Sequence, residues 1–121
     1  MDTILIYTEI GRMAYAVAKA NGEVKEKEIE QIFNFIDDEI KYSGSADVVC
    51  LGAEFNKLRK MNASARDAFS MFSKFIEMNG NNLQQRIKNM CLRLALHIAS
   101  SDESVDETEM ALITKLRKKL V

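Results

Sequence analysis

Carboxylates gather at two turns of this 121-residue chain. The first runs Asn21-Gly22-Glu23-Val24-Lys25-Glu26-Lys27-Glu28, the second Asp102-Glu103-Ser104-Val105-Asp106-Glu107-Thr108-Glu109. Oxygens crowded in this way suit either of two jobs. They can fasten a helix start, where a carboxylate at the third helical position accepts the cap residue's own N–H and favours the positive end of the helix dipole. They can also hold a hard divalent cation, which takes several oxygen ligands. Asp106-x-x-Glu109 has capping-box spacing, and Glu28 stands at the matching place in the first turn. Asp102-x-Ser104-x-Asp106 imitates the opening of a calcium loop. However, the sixth position is Glu107 instead of glycine and the twelfth is Ile113 instead of glutamate, which excludes an EF-hand.

Little else in the chain is chemically marked. His97 is the sole histidine, flanked by Leu96 and Ile98, and no partner residues mark a zinc site or a catalytic dyad around it. Cys50 and Cys91 lie 41 positions apart and form no C-x-x-C, so they read as small core thiols in a reducing compartment. No P-loop, dinucleotide fingerprint or nucleophile elbow occurs. No nucleophile, base and orienting group can be named together, so the expectation is that the chain is not an enzyme.

Seventeen Lys and Arg against eighteen Asp and Glu give a net charge of −1, which supplies no electrostatic case for nucleic acid or an anionic membrane surface. No apolar run approaches the roughly 18 residues of a membrane span. Asp2, Glu9 and Arg12 interrupt any signal peptide, so a cytoplasmic protein without membrane insertion is expected. Asp37-Asp38-Glu39 reads as a solvated helix face. The basic turn of Lys115, Arg117, Lys118 and Lys119 complements a helix C-terminus.

These turns need helices to position them. Apolar residues recur at three- and four-residue spacing in six segments, about Thr3–Ala20, Glu26–Lys41, Ala46–Met61, Ala63–Met78, Leu83–Ala99 and Glu107–Leu120. Asn21-Gly22, Ser43-Gly44-Ser45 and Asn79-Gly80 separate them, and Asn62 is expected to cap the fourth. Met13, Met61, Met71, Met78, Met90 and Met110 are expected in the core, while Val24 and Val105 should anchor the two turns to it. There is no proline and no sustained two-residue alternation, so the fold class is all-α, a compact bundle of about six helices.

Sliding the chain by 81 residues aligns positions 6–36 with 87–117 without a gap, and 8 of the 31 pairs are identical. Composition alone gives on the order of two. Ala14/Ala95, Arg12/Arg93, Val24/Val105, Glu26/Glu107, Glu28/Glu109 and Ile32/Ile113 are among them. Each copy is a helix-turn-helix, and the two copies are expected to flank a middle helix pair in a pseudo-two-fold arrangement within one domain.

The repeated turn, small-x-small-Asp-Gly-x-hydrophobic-x-x-x-Glu used twice in an all-helical chain of this size, resembles the tellurite-resistance TerB-like family. It is also similar to the cytoplasmic domain of a membrane-anchored J-domain protein, although the chain has no proline for the His-Pro-Asp motif of a J-domain itself. The resemblance spans nearly the whole chain, residues 1–121 as a single TerB-like helical domain. It implies a divalent-metal site (calcium, magnesium or manganese) whose ligands fall on Asn21, Glu28, Asp102 and Glu109, with Asp106 adding a carboxylate. Asn21 stands where the family has Asp, and Glu103 where it has Gly.

Two functions follow from the resemblance. One is a non-enzymatic, cytosolic stress-response module that binds a divalent cation through its acidic turns. The alternative is a protein–protein interaction adaptor of a membrane-associated stress or chaperone complex, a possible homodimer, in which the acidic turns only cap helices.

Overall fold

The computed structural model describes residues 2–101 and 107–120. These form six helices: α1 (Thr3–Lys19), α2 (Glu26–Ser43), α3 (Val49–Met61), α4 (Ala65–Asn79), α5 (Gln85–Ala99) and α6 (Glu107–Lys119). Short 3₁₀ turns at Ala46–Val48 and Gly80–Asn82 lead into α3 and out of α4. The described residues contain no strand. The all-α bundle expected from the hydrophobic periodicity is therefore the observed fold.

Helix α1 is the centre of the bundle. Helices α3 and α4 pack along it most extensively, α5 packs against it as well, and α6 touches it together with α4 and α5. From Ile6 to Ala18 every α1 residue except Thr8 and Arg12 is buried. A helix covered on nearly all sides must be apolar on nearly all sides, and Ile6, Ile10, Met13, Ala14 and Val17 meet that demand. Helix α2 lies on the outside, against α3 and α5.

The α1–α3 crossing is close because of Gly11. A side-chain carbon added there would sit 2.5 Å from the Leu51 carbonyl oxygen, so only glycine admits the α3 backbone at that height. Burying Leu51 at this crossing contributes about 1.5–3 kcal/mol. Tyr15 completes the contact. Its ring meets Phe55 edge-on at 5.9 Å, and its hydroxyl donates to the Ala63 carbonyl at 2.6 Å.

Several expectations shift at the helix ends. Asn62 does not cap α4; it terminates α3 in left-handed backbone (φ 49°), and the Ser64 hydroxyl caps α4 by accepting from Asp67 N at 3.0 Å. Asparagine is suited to both places, because it tolerates left-handed backbone as well as capping. Helix α5 begins at Gln85, and Leu83 is buried from the preceding loop.

Four methionines assigned to the core are exposed. Met61, Met71, Met78 and Met110 face solvent, while Met13 and Met90 are buried. On α6 the inward stripe is Glu109, Ile113 and Leu116, with Leu120 buried just past the helix end. Val24 is half-buried against the core, and Val105 lies outside the described residues.

Candidate functional site

The first acidic turn is held by its own backbone. Gly22 N donates to the Lys19 carbonyl at 2.8 Å and takes φ 98°, a conformation that favours glycine. The Asn21 side-chain oxygen accepts from Glu23 N at 3.3 Å, closing an Asx turn. Three residues into α2's approach, Lys25 N donates to Glu28 Oε1 at 2.7 Å, the N3 half of a capping box. Glu28 is only 2% exposed.

Glu109 holds the matching place in α6 and is 3% exposed. Asp102 and Asp106 lie outside the described residues. Among the described residues no group of three or more His, Cys, Asp or Glu is gathered as a metal site. Asn21 and Glu28, the first-copy donors expected for a cation, each have an oxygen engaged by a backbone N–H of the turn.

Two buried carboxylate clusters lie elsewhere. At the α1–α3 crossing Arg12 bridges two acids, Nη1 to Glu9 Oε2 at 2.5 Å and Nε to Glu54 Oε2 at 2.8 Å. Two carboxylates share one guanidinium, and Glu9 Oε1 has no partner. Burial, offset by Arg12, holds the Glu9 carboxyl above the usual range.

At the far end of α2, Glu39 accepts three hydrogen bonds, all from outside its own helix. Arg86 Nη2 donates to its oxygens at 2.8 and 2.7 Å, and the Tyr7 hydroxyl donates at 3.1 Å. Tyr42 stacks on the Arg86 guanidinium at 4.8 Å. Burial, and then the neighbouring Glu39 charge, push the Tyr7 hydroxyl up. The hydrogen bond to Glu39 raises Arg86 further. Asp37 and Asp38 are solvated as expected, but Glu39 is buried, so the acidic run is not a uniform solvent face.

This Glu39–Arg86 lock closes one end of a cleft of about 870 Å³ between α2 and α5. Gln31, Asn34 and Asp38 form its α2 wall, and Asn89, Arg93 and His97 its α5 wall. Arg93 and His97 are exposed. The arrangement is a polar surface with hydrogen-bonding amides and an uncompensated cation. Glu39 and Arg86 at its closed end are long-range partners that no local motif announces, and Arg93 carries the sequence signal of its repeat match with Arg12.

The all-helical fold agrees with one comparison. The family model for tellurite resistance protein TerB matches residues 9–120. The chain belongs to the TerB family. No curated protein and no solved structure matches it significantly. The TerB match runs from within α1 through the middle helices to α6. Burial in this TerB-family bundle also repeats at the 81-residue interval. Ala14 and Ala95, Val17 and Ile98, Glu28 and Glu109, and Ile32 and Ile113 are buried in both copies. Among the described residues, no helix is long and apolar enough to cross a membrane. Cys91 is buried, its thiol pushed up to about 12 by desolvation, and Cys50 is half-buried and free.

Proposed function

We propose that this TerB-family chain is a non-catalytic, cytoplasmic interaction module, an adaptor in a tellurite-resistance or related stress response. In this reading the acidic turns fasten helices and a protein partner is bound elsewhere on the surface. The supporting observation is the 2.7 Å bond from Lys25 N to Glu28 Oε1, which gives the buried carboxylate a structural job. The Asx turn at Asn21 adds to it.

Isothermal titration with calcium, magnesium and manganese tests the reading. The expected result is no saturable heat, together with a less stable fold in Glu28→Ala. Saturable binding that disappears in Glu28→Ala, Asp102→Ala and Glu109→Ala overturns it. That result would favour the second reading, a divalent-cation module. The observation behind that second reading is the deep burial of Glu28 and Glu109 at matched positions, because buried charges are normally paired or bound to metal.

A further inference from the structure

The two copies of the repeat are covered differently. On α1, the residues Thr8, Gly11, Arg12 and Tyr15 share one face at helical spacing. Helix α3 lies on that face. The Leu51 carbonyl sits over Gly11, Glu54 pairs with Arg12 at 2.8 Å, and Phe55 meets Tyr15. The 81-residue match places Asn89, Leu92, Arg93 and Leu96 at the same four positions of α5.

No helix of the described residues covers that α5 face. Asn89 and Arg93 are exposed, Leu96 is 36% exposed and Leu92 is half-buried. Arg93 makes no hydrogen bond or ion pair among the described residues, although its counterpart Arg12 makes two ion pairs. One flank of the face opens into the α2–α5 cleft.

We propose that the α5 face formed by Asn89, Leu92, Arg93 and Leu96 is the docking site for an amphipathic helix of another protein, seated on α5 as α3 is seated on α1, with a carboxylate against Arg93. This rests on the reading of the chain as an interaction module and names the surface and the partner's chemistry. Arg93 has no ion pair among the described residues, whereas Arg86 on the same wall is taken by Glu39, so the group placed against Arg93 is negative and turned away from Asp38 on the α2 wall. Apolar residues three before and one after that carboxylate cover Leu92 and Leu96, as Leu51 and Phe55 accompany Glu54 on α3. Leucine in place of Gly11 sets the occupant at an ordinary interhelical distance of about 8–10 Å instead of backbone contact. The α3 of a second copy does not fit the role, because its Leu51 and Phe55 are buried and its Glu54 is held by its own Arg12.

The test is an amide-resonance titration of the full chain with two synthetic helices of about 18 residues, long enough to be helical in an alanine background. One carries Leu, Glu and Leu at the spacing of Leu51, Glu54 and Phe55; in the other the Glu is Lys. The Glu peptide is expected to shift residues 86–97 and to bind Arg93→Glu at least about tenfold more weakly. The Lys peptide is expected to prefer Arg93→Glu over the natural chain. Leu96→Asp, at an exposed position, should weaken the Glu peptide with an unchanged circular dichroism spectrum.

Absent binding, equal affinity for both peptides, or shifts confined to another surface overturn the assignment. The last of these leaves an interaction module standing with a different face. Concentration-dependent self-association through α5 replaces the foreign helix with a second copy and also overturns it. Saturable cation binding at the acidic turns contradicts the adaptor reading without moving the α5 resonances, so the two failures are distinguishable.

Discussion

Arg12 and Arg93 are the same residue at the same register of two matched helices, and their surroundings differ. Arg12 lies between two buried carboxylates under α3. Arg93 stands at the lip of an open cleft. The difference comes from the middle of the chain: α3 and α4 both pack on α1, and neither has a principal contact with α5. Of the two helices matched at the 81-residue interval, one is buried as a structural spine and the other keeps a bare face. The matched residues account for the similar inner surfaces, and the placement of the middle helices explains the divergent outer ones.

The comparison can be broken most forcefully at the arginines. Arg12→Met leaves Glu9 and Glu54 together without their cation and is expected to cost about 3–5 kcal/mol, read from urea unfolding. Arg93→Met, exposed and without an ion pair among the described residues, should stay within about 0.5 kcal/mol of the natural chain. Equal losses would remove the asymmetry.

The next effect is at Gly11 and its counterpart Leu92. Gly11→Leu drives a side chain into the Leu51 carbonyl and should cost about 1–3 kcal/mol or more. Leu92→Ala, half-buried, should cost less in the same denaturation series.

The copies should behave alike at their acidic turns. Glu28→Ala is expected to lose about 1 kcal/mol by removing the N3 partner of the cap. Glu109→Ala should lose a similar amount by thermal unfolding if the second turn is fastened in the same way.

The smallest effect is a pH dependence confined to the first copy. The Glu9 carboxyl is held above its ordinary 4.5 by burial. Between 4.5 and that raised value the folded chain keeps a proton that the unfolded chain has lost. The contribution to stability is therefore greatest below this interval and falls as pH rises through it. In Glu9→Gln this slope should vanish from a series of urea midpoints measured from about pH 4 to 7.

The elements themselves were legible in the sequence. Helical periodicity located all six, because each carries apolar residues at three- and four-residue spacing, and Gly22 stops the first repeat turn where the Asn-Gly pair predicts it. What escaped was decided between distant positions. Glu39 sits in an acidic run that reads as solvated, yet its partners Tyr7 and Arg86 are 32 and 47 positions away. Met61, Met71, Met78 and Met110 satisfy an apolar pattern whether or not anything covers them. The repeat made Arg12 and Arg93 look alike, since sequence similarity carries no information about which copy the middle helices choose. Of the candidate site, Asn21 and Glu28 were located and their carbonyl and carboxylate oxygens found engaged in the turn. Asp102 and Asp106 lie outside the described residues, and the cleft on α5 left only the Arg93 match as a trace.

The most direct measurement is the arginine side-chain Nε–H spectrum of the free chain and of the chain with the Glu-bearing helical peptide. Bonded to Glu54 beneath α3, the Arg12 Nε–H is expected to be protected from solvent exchange in both. Arg93 Nε–H should exchange freely in the chain alone and become protected only when the peptide is added. Protection of Arg93 in the free chain, or no change on adding the peptide, contradicts the account.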